Sequence, residues 1–400
     1  MEFLGSGYVL IPLHLPEIDG ADWTAVGDAV QAGHLAGNGA ISQQVQTFME
    51  NALPARHVIL TTSCTHAMEL AVLAASLGSG DEVICPSFTF PSTANAVALR
   101  GAVPVFADVD PATLTLDPAD VERRITPRTR AIMPVHYAGV VSGMDELRTI
   151  AQRHRITVIE DAAQAWGSRY RGRSAGVLGD VGCFSFHATK NVTCGEGGAF
   201  VTDDDSLFQA AEIAAEKGTN RNAFMRGEVD RYTWVALGSS YVLSDILASL
   251  LLSQLKKSDR INAARRDRAA RYFAALAPLD RAGLIRLPVV PKDNEWNAHG
   301  FFVCLTDPER RDDVVEKLRA RGVGAAMHFV PLHTSPYWGG RTLPMRPEPL
   351  PHTENVAASL IRLPLFSTLS ESDQDFVIDA TLAIVPAAAG RRVAALAPSR

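Results

Sequence analysis

Short apolar runs alternate with amphipathic stretches through the first half of the chain. From Val58 to about Thr202, β-rich runs such as VIL, EVICP, VPVFAD and ITVIED are separated by helical patterns such as CTHAMELAVLAASLG and MDELRTIAQRH. In the stretch after Cys64, apolar positions recur at the helical period, at Leu70, Leu73, Ala74 and Leu77. This alternation predicts an α/β domain with a mainly parallel sheet.

A second, smaller α/β region follows a long helical pattern. That pattern runs from about Ser244 to Leu276, is broken near Ser258, and carries the chain out of the first region. Between about Ala282 and Pro386, the sequence predicts strands at FFVCL and near AAMHFV. It predicts helices at ERRDDVVEKLRARG, ENVAASLIR and ESDQDFVIDATLAIV.

The composition is that of a globular protein with two domains. The 400 residues are 47% hydrophobic and 20% charged, which allows a large core. We predict a large domain over residues 12–255 and a small C-terminal domain over residues 256–386, with residues 1–11 and 387–400 as loose ends.

Charge and hydropathy argue against several classes of partner. The formal net charge of −6 gives no reason to expect nucleic acid, and the longest apolar stretches are too short to span a bilayer. The stretch MEFLGSGYVL at the amino terminus has no basic flank and no cleavage pattern, so we expect a cytoplasmic protein.

The cysteines are odd in number and scattered without C-x-x-C spacing, which argues against a disulfide scaffold and against a zinc site. We expect them to be small buried hydrophobes, and we expect no metal. They are Cys64, Cys85, Cys183, Cys194 and Cys304.

The first chemical signal is TTSCTHAMEL, where hydroxyl side chains crowd the start of a helix. Free backbone amides at a helix start, with hydroxyls beside them, form an anion site. The alternative is a plain helix cap, for which one serine or threonine would be enough.

The second signal is TVIEDAAQAWG, a strand that ends in Glu160 and Asp161. In open α/β sheets, ligands collect at the carboxyl ends of the strands, so an acid at that point is a functional candidate. The alternative is an acid that only caps the next helix.

The third signal is CFSFHATKNVTCGEGG, in which Lys190 follows Ser185 and precedes a glycine-rich turn. Alone, such a lysine could be an ordinary charged residue at a sheet edge. An anion cup, a strand-end acid and a lysine in a glycine-lined pocket are, however, the parts that a pyridoxal phosphate (PLP) enzyme needs. The chain has no G-x-x-x-x-G-K-[ST], and no G-x-G-x-x-G between a strand and a helix, so the ATP and nicotinamide fingerprints are missing.

A longer stretch carries a family resemblance. EDAAQAWGSRYRGRSAGVLGDVGCFSFHATKNVTCGEGGAFVTDD closely resembles the cofactor segment of the DegT/StrS sugar-nucleotide aminotransferases, which are PLP enzymes of fold type I. SCTHAMELA, PSFTFPSTANAV, PVHYAGV, GSSYVLSD and HFVPLH recur in the same order, so that the resemblance spans roughly residues 11–386. It implies an aspartate-aminotransferase-like large domain and a smaller C-terminal α/β domain.

The resemblance implies roles for four residues around the cofactor ring. Lys190 matches the lysine that forms the Schiff base and moves the proton during catalysis. Asp161 matches the partner of the pyridinium nitrogen. Gln164 matches a glutamine near the ring hydroxyl, and Phe88 matches the aromatic residue that stacks on the ring face.

The resemblance also implies phosphate contacts. The backbone amides of Cys64 and Thr65 match two of these contacts. The hydroxyl of Ser185 matches another. Many relatives add an asparagine from the partner subunit, where this chain has Ser240 in GSSY. Trp166 replaces a histidine that is common in the family. The family's site lies between two subunits, which implies a homodimer.

A narrower resemblance concerns the substrate. EKGTNRNAFMRGEVDRYTW resembles the branch that makes dTDP-4-amino-4,6-dideoxygalactose, which implies transfer of the amino group of L-glutamate to C4 of a dTDP-4-keto-6-deoxyhexose such as dTDP-4-keto-6-deoxyglucose. Related sugar dehydratases carry histidine in place of the lysine, so Lys190 favours transamination. The alternatives are amination at C3 or of a cyclitol, and a non-catalytic PLP-binding regulatory protein.

The nucleotide sugar brings a pyrophosphate, for which Lys217, Arg226 and Arg231 are candidate ligands. The alternative is that these three are solvated surface cations. His328 and His333, in MHFVPLH, are candidates for contact with the sugar, or they are structural histidines.

Overall fold

The computed structural model describes residues 11–33, 35–339 and 348–388. The two predicted loose ends, 1–11 and 387–400, lie outside these ranges except at their inner edges. How the chain divides into domains stays a prediction.

Helices dominate the described residues. They are, in chain order, α1 (Gly20–Gln31), α2 (Ala40–Ala52), α3 (Cys64–Ala74), α4 (Pro91–Ala98), α5 (Pro118–Arg124), α6 (Met144–His154), α7 (Asp205–Ala215), α8 (Arg221–Met225), α9 (Asp245–Lys256), α10 (Ser258–Arg281), α11 (Arg311–Ala320), α12 (Pro336–Gly339), α13 (Pro351–Ser359) and α14 (Glu371–Ala388).

The strands are mostly short and buried. They are β1 (His57–Thr61), β2 (Glu82–Pro86), β3 (Val103–Ala107), β4 (Thr129–Ile132), β5 (Thr157–Asp161), β6 (Arg169–Tyr170), β7 (Arg173–Ser174), β8 (Val181–Ser185), β9 (Gly198–Thr202), β10 (Ile285–Arg286), β11 (Asn294–Glu295), β12 (Phe301–Leu305) and β13 (Leu360–Leu363).

A seven-stranded sheet forms the centre of the larger unit, in the order β1-β9-β8-β5-β4-β2-β3. Strand β9 is antiparallel to both of its neighbours, and the other neighbouring pairs are parallel. The prediction of a mainly parallel sheet is therefore confirmed. The carboxyl ends of β1, β2, β3, β4, β5 and β8 consequently share one edge with the first residue of β9.

Helices cover both faces of this sheet. Helices α2, α6 and α9 bury Met49, Leu147 and Leu251 on one face, and α3 and α4 bury Leu70 and Val97 on the other. Each such side chain contributes about 1.5–3 kcal/mol when it leaves water. Because both faces are covered, the strands are mostly apolar, as is typical of parallel strands between two layers of helices.

A smaller antiparallel sheet, in the order β10-β12-β13, lies against α10, α11 and α14 and has its own hydrophobic cluster. The chain reaches it through α10, as the sequence predicted. The amino-terminal segment joins it, because Ile11 exchanges backbone hydrogen bonds of 3.0 and 2.8 Å with Gly322 and Gly324.

Two predicted elements of the smaller unit were wrong. The predicted strand near AAMHFV forms only a bridge between Ala326 and Arg362. The predicted helix over ENVAASLIR ends at Ser359, and LIRL is the strand β13, paired along β12. The physical reason lies partly in Pro364, because a residue before proline is disfavoured in helical conformation and is pushed towards an extended one.

All five cysteines are buried and free of disulfide bonds. Across residues 11–33, 35–339 and 348–388, no helix combines the length and apolar character needed to cross a membrane. The same part of the chain holds no group of three or more His, Cys, Asp or Glu residues placed to bind a metal ion.

Candidate active site

Lys190 lies in a tight loop between β8 and β9, at the edge of the sheet where the parallel strands end. The Lys190 amide donates to His187 O at 2.9 Å, and the Ala188 amide donates to Gly195 O at 2.8 Å, which fixes the backbone on the approach to the lysine. Burial lowers the pKa of the Lys190 ammonium, and the negative charge of Asp161 opposes this effect only in part. Relative to an exposed lysine, this shift increases the share of the neutral, nucleophilic amine.

Asp161 ends β5, and its side chain is only 4% exposed. The Thr93 hydroxyl donates to Oδ2 at 2.8 Å, and the Ala163 amide donates to Oδ1 at 3.1 Å. Burial raises the pKa of Asp161, while the Thr93 hydrogen bond and the charge of Lys190 lower it. The site thus contains a buried acid that gains strongly from a cationic partner.

The start of α3 offers two unused backbone donors beside this acid. The Ser63 hydroxyl caps the helix by accepting from the His66 amide at 3.1 Å. The amides of Cys64 and Thr65, the first two helical residues, have no carbonyl in the preceding turn to bind. Together with the helix dipole they are suited to binding an anion.

Two strands bring further groups to the same point. Ser185 ends β8 and stands opposite Gly198, the first residue of β9. A Cβ atom at position 198 would overlap backbone atoms of Ser63 and Cys64. Glycine is therefore required here, because β9 passes directly against the amides that begin α3.

Replacing Gly198 by alanine should displace these amides and thereby weaken binding of the phosphate group that the family resemblance predicts here. We expect the dissociation constant for pyridoxal phosphate to rise at least about tenfold, which corresponds to about 1.4 kcal/mol. A titration of the apoprotein followed by absorbance measures it. Gly27→Ala is the control, because a Cβ there meets no atom within 4 Å. Equal affinity for pyridoxal phosphate in both variants would show that the amides beside Gly198 do not bind the phosphate group.

Phe88 and Gln164 belong to the larger unit and lie near its contact with the second unit. The Phe88 ring is 1% exposed and packs against the rings of Tyr137 and Phe329, with centroids 5.1 and 5.6 Å apart. Gln164 Oε1 accepts from the Ala138 amide at 2.6 Å, which orients the side chain and leaves its amide nitrogen for other partners. Their roles towards the cofactor stay predictions.

The two candidate histidines of MHFVPLH differ. His328 Nδ1 is 2.7 Å from the Tyr137 hydroxyl, beside Phe88. His333 is buried, with Nδ1 2.7 Å from the Ser87 hydroxyl and Nε2 3.2 Å from Glu354. His333 therefore connects the second unit to Ser87, the residue before Phe88. This contact favours the interpretation of His333 as a structural histidine.

Glu160 turns away from its neighbour Asp161. Its carboxylate is fully buried and accepts from His136 Nε2 at 2.7 Å and from the amides of Gly176, Leu178 and Gly179 at 2.8, 2.6 and 2.6 Å. These contacts hold the turn before β8. Of the two adjacent acids, only Asp161 faces the lysine.

The other candidates lie on the surface around α8. Arg226 is held by Glu212 and Glu228, each at 2.7 Å, and these carboxylates raise its pKa. Lys217 lies 3.3 Å from Glu216. Arg231 and Ser240 are exposed. No hydrogen bond or ion pair among the described residues joins this segment to Lys190 within one chain.

The sequence analysis missed several polar residues near these groups: Thr93, which donates to Asp161, Tyr137, which lies 2.7 Å from His328, and His299 and Arg362, which line a small cavity with Tyr137. Thr93 was one hydroxyl among several in PSFTFPSTANAV, and nothing in the sequence marked it as the partner of Asp161. Trp166 packs on Phe184 of β8 and on Phe186, the first residue of the loop that holds Lys190.

The model of the DegT/DnrJ/EryC1/StrS aminotransferase family matches residues 16–382. The aminotransferase TlmJ from Streptoalloteichus hindustanus superposes with a TM-score of 0.87 at 30% identity, over 94% of this chain and 99% of TlmJ. DesV of S. venezuelae, solved with a ketimine intermediate, gives 0.82 at 34% identity, over 92% and 97%.

NtdA from Bacillus subtilis, solved with bound cofactor PMP, gives a TM-score of 0.83 at 29% identity, over 92% of this chain and 83% of NtdA. These similarities confirm the predicted aspartate-aminotransferase-like fold with its mainly parallel sheet. The match over nearly the whole length shows that the chain belongs to the DegT/DnrJ/EryC1/StrS aminotransferase family.

Proposed function

We propose that this protein is a PLP-dependent sugar aminotransferase that moves the amino group of L-glutamate to C4 of a dTDP-4-keto-6-deoxyhexose. The observation that carries the proposal is the convergence at one sheet edge of Lys190 with a lowered pKa, the buried Asp161 and the free amides that begin α3. The cofactor and the amino transfer follow from the family, and the sugar follows from the narrower resemblance.

The residues present fit the cofactor. The amides of Cys64 and Thr65 and the hydroxyl of Ser185 would hold its phosphate in the cradle that Gly198 leaves open. The carboxylate of Asp161, kept in place by a 2.8 Å hydrogen bond from Thr93, would hold the proton of the pyridine nitrogen. When bound, pyridoxal phosphate supplies an electron-poor ring that stabilises negative charge on a neighbouring carbon.

Lys190 has two tasks in this proposal. Its amine would bind the cofactor aldehyde, and once glutamate has displaced it, Nζ would act first as the base that accepts the proton of the amino acid α-carbon and then as the acid that gives this proton up. With the keto sugar the same nitrogen moves the proton in the reverse direction. A lowered pKa suits both tasks, because an ammonium group could not accept a proton.

The lowered pKa of Lys190 should appear in the stability of the apoprotein. A lysine whose pKa is lower in the folded state destabilises that state below the folded pKa, and the cost disappears as the pH rises towards the unfolded value of about 10.4. We therefore expect Lys190→Met to melt at a higher temperature than the wild type at pH 7, and the gain to shrink towards pH 10. Calorimetry on both apoproteins measures this, with exposed Lys256→Met as the control. A pH-independent difference would contradict it.

We also propose a homodimer in which α8 and the residues after it face the partner. Three large side chains there are strongly exposed in the single chain: Met225 at 69%, Trp234 at 73% and Leu237 at 59%. A second copy would cover them, and it would bring Ser240 towards the phosphate site of its partner. Lys217, Arg226 and Arg231 would then be near enough to the site to bind the pyrophosphate of the nucleotide sugar.

The test is incubation with dTDP-4-keto-6-deoxyglucose and L-glutamate, followed by NMR assignment of the product. A new amine at C4 together with 2-oxoglutarate supports the proposal. If only a C3-keto sugar or a cyclitol ketone is aminated, the proposed substrate is wrong and that ketone is the substrate. If glutamate does not bleach the cofactor absorbance at all, the protein binds the cofactor without transferring an amino group, and the proposed activity is wrong.

A further inference from the structure

A buried polar network joins the second unit to residues 186–197, the loop that holds Lys190. Its four side chains are each 8% exposed or less, and they are Asn191 from the loop, Asn262 from α10, and Asn297 and His299 from the segment before β12. Buried polar side chains cost free energy unless their atoms are paired. The contacts of these four residues therefore show what the network holds in place.

The contacts determine the orientation of the Asn191 carboxamide. Its nitrogen donates to the Asn297 carbonyl oxygen at 3.0 Å and to Asn262 Oδ1 at 2.8 Å. A backbone carbonyl can only accept, so this end of the carboxamide must be the nitrogen. The carboxamide oxygen consequently faces His299 Nδ1, at 3.1 Å. From the position directly after Lys190, one side chain thus contacts both α10 and the second unit.

His299 is a neutral donor in this network. Burial, followed by the nearby charge of Lys190, lowers the pKa of His299 far below its usual value. A neutral imidazole has one N–H, and the amide oxygen of Asn191 can only accept, so the proton is on Nδ1 and is donated to Asn191. The lysine charge acts on His299 because the two side chains are buried near one another.

The backbone around His299 is fixed from two sides. Asn297 Nδ2 donates to the carbonyl oxygens of Gln164 and Trp166 at 2.9 and 3.0 Å. Asn297 Oδ1 accepts from the His299 amide at 3.0 Å. From α10, Arg265 donates to the His299 carbonyl oxygen at 2.6 Å. The histidine is therefore held at its backbone as well as at its ring, and it gives the loop a fixed point of attachment.

We propose that Asn191 and His299 are positioning residues for Lys190: through their hydrogen bond, the second unit holds the loop where Nζ can reach the reacting carbon. The lysine side chain is flexible, so the placement of Nζ depends on a fixed backbone. A displacement of about 1 Å at a catalytic group can cost about 10²-fold in rate. This inference rests on the proposed amino transfer, and it gives the second unit a part in the proton transfer.

Two substitutions of His299 test the role of this hydrogen bond. Asparagine places an amide nitrogen where Nδ1 stands, so His299→Asn keeps the donor, whereas His299→Leu removes it. We expect kcat to fall at least about tenfold in His299→Leu and to stay within about threefold of the wild type in His299→Asn. The KM values for glutamate and the keto sugar should stay within about threefold in both. Asn191→Ser breaks the same hydrogen bond, since serine is too short to reach His299, and we expect the same loss as in His299→Leu.

Thr193→Val is the matched control, because Thr193 is buried in the same loop and its hydroxyl bonds within that loop. It donates to Phe186 O at 3.1 Å and accepts from the Gly195 amide at 2.9 Å. The control thus loses buried hydrogen bonds and keeps the link to the second unit. We expect its melting temperature to fall while its kcat stays within about threefold of the wild type. A kcat loss equal to that of His299→Leu would contradict the proposal.

Reduction of the apoprotein after addition of pyridoxal phosphate gives a readout that needs neither glutamate nor sugar. Borohydride fixes the cofactor on the lysine, and mass spectrometry measures the rate at which Lys190 is modified. We expect slower modification in His299→Leu and a rate near that of the wild type in His299→Asn. Equal rates in all three proteins, or equal losses in the two variants, would overturn the inference. If the rates differ as expected but the wild type aminates no sugar, the positioning role stands and the proposed function is wrong.

Discussion

Lys190→Ala is expected to abolish amino transfer while leaving a protein that still binds pyridoxal phosphate. Proton transfer by a positioned base contributes up to about 10⁴-fold, and the lysine also serves as the nucleophile, so we expect turnover to fall by at least about 10⁴-fold. The phosphate cradle at the start of α3 and the carboxylate of Asp161 do not depend on the lysine side chain. Chromatography of the amino sugar product measures the loss.

The matched control is Lys256→Ala, because Lys256 is an exposed lysine on α9. Added methylamine should restore part of the activity of Lys190→Ala, since a small amine can occupy the space that the side chain leaves and carry the proton. A structural defect would not respond to the amine. Normal turnover in Lys190→Ala would exclude the proposed mechanism.

The sequence indicated that Lys190 and Asp161 belong together, because each stands at or just after the end of a strand in the predicted sheet. Lys190 follows β8 and Asp161 ends β5, and these two strands are parallel neighbours with Asp161 opposite Cys183. In such a sheet the carboxyl ends meet at one edge, so a lysine and an acid separated along the chain are brought together. The hydroxyl-rich start of α3 follows β1, which ends at the same edge.

The partners of these residues could not be predicted, because they depend on strand order. Thr93 reaches Asp161 from α4, which follows β2, and β2 is separated from β5 by β4. Tyr137 and His328 are 191 residues apart, and only the docking of the second unit brings them into contact. Arg362 was placed in a helix by the pattern ENVAASLIR, whereas it lies on β13.

LIRL forms a strand although the pattern ENVAASLIR predicted a helix, and the reason is physical. Its apolar residues continue the spacing of α13, so local periodicity favours a longer helix. Pairing with β12 and the proline after Leu363 both favour an extended backbone, and these tertiary and local effects outweigh the helical periodicity. As a result, Arg362 lies on β13 and lines a small cavity together with Tyr137 and His328, which the helical pattern did not indicate.

Asp161→Asn is the second substitution from which we expect a large loss. Asparagine has the same shape, and its oxygen can still accept the 2.8 Å hydrogen bond from Thr93, so the fold should be preserved. What disappears is the negative charge that would keep the pyridine nitrogen protonated. Without that charge the ring is a weaker acceptor of electrons, and we expect kcat to fall by about 10³-fold, or about 4 kcal/mol in the barrier.

Steady-state kinetics with saturating glutamate and keto sugar measures this loss, and the melting temperature of the loaded protein reports on the fold. Asp28→Asn is the control, because Asp28 is an exposed acid on α1. Thr93→Val should have a smaller effect, because it removes one hydrogen bond to the carboxylate and leaves the charge in place. The order of kcat should therefore be wild type, Thr93→Val, Asp161→Asn. If Asp161→Asn kept kcat within about threefold, about 0.7 kcal/mol, the carboxylate would not act on the ring nitrogen and another group would have to supply the charge.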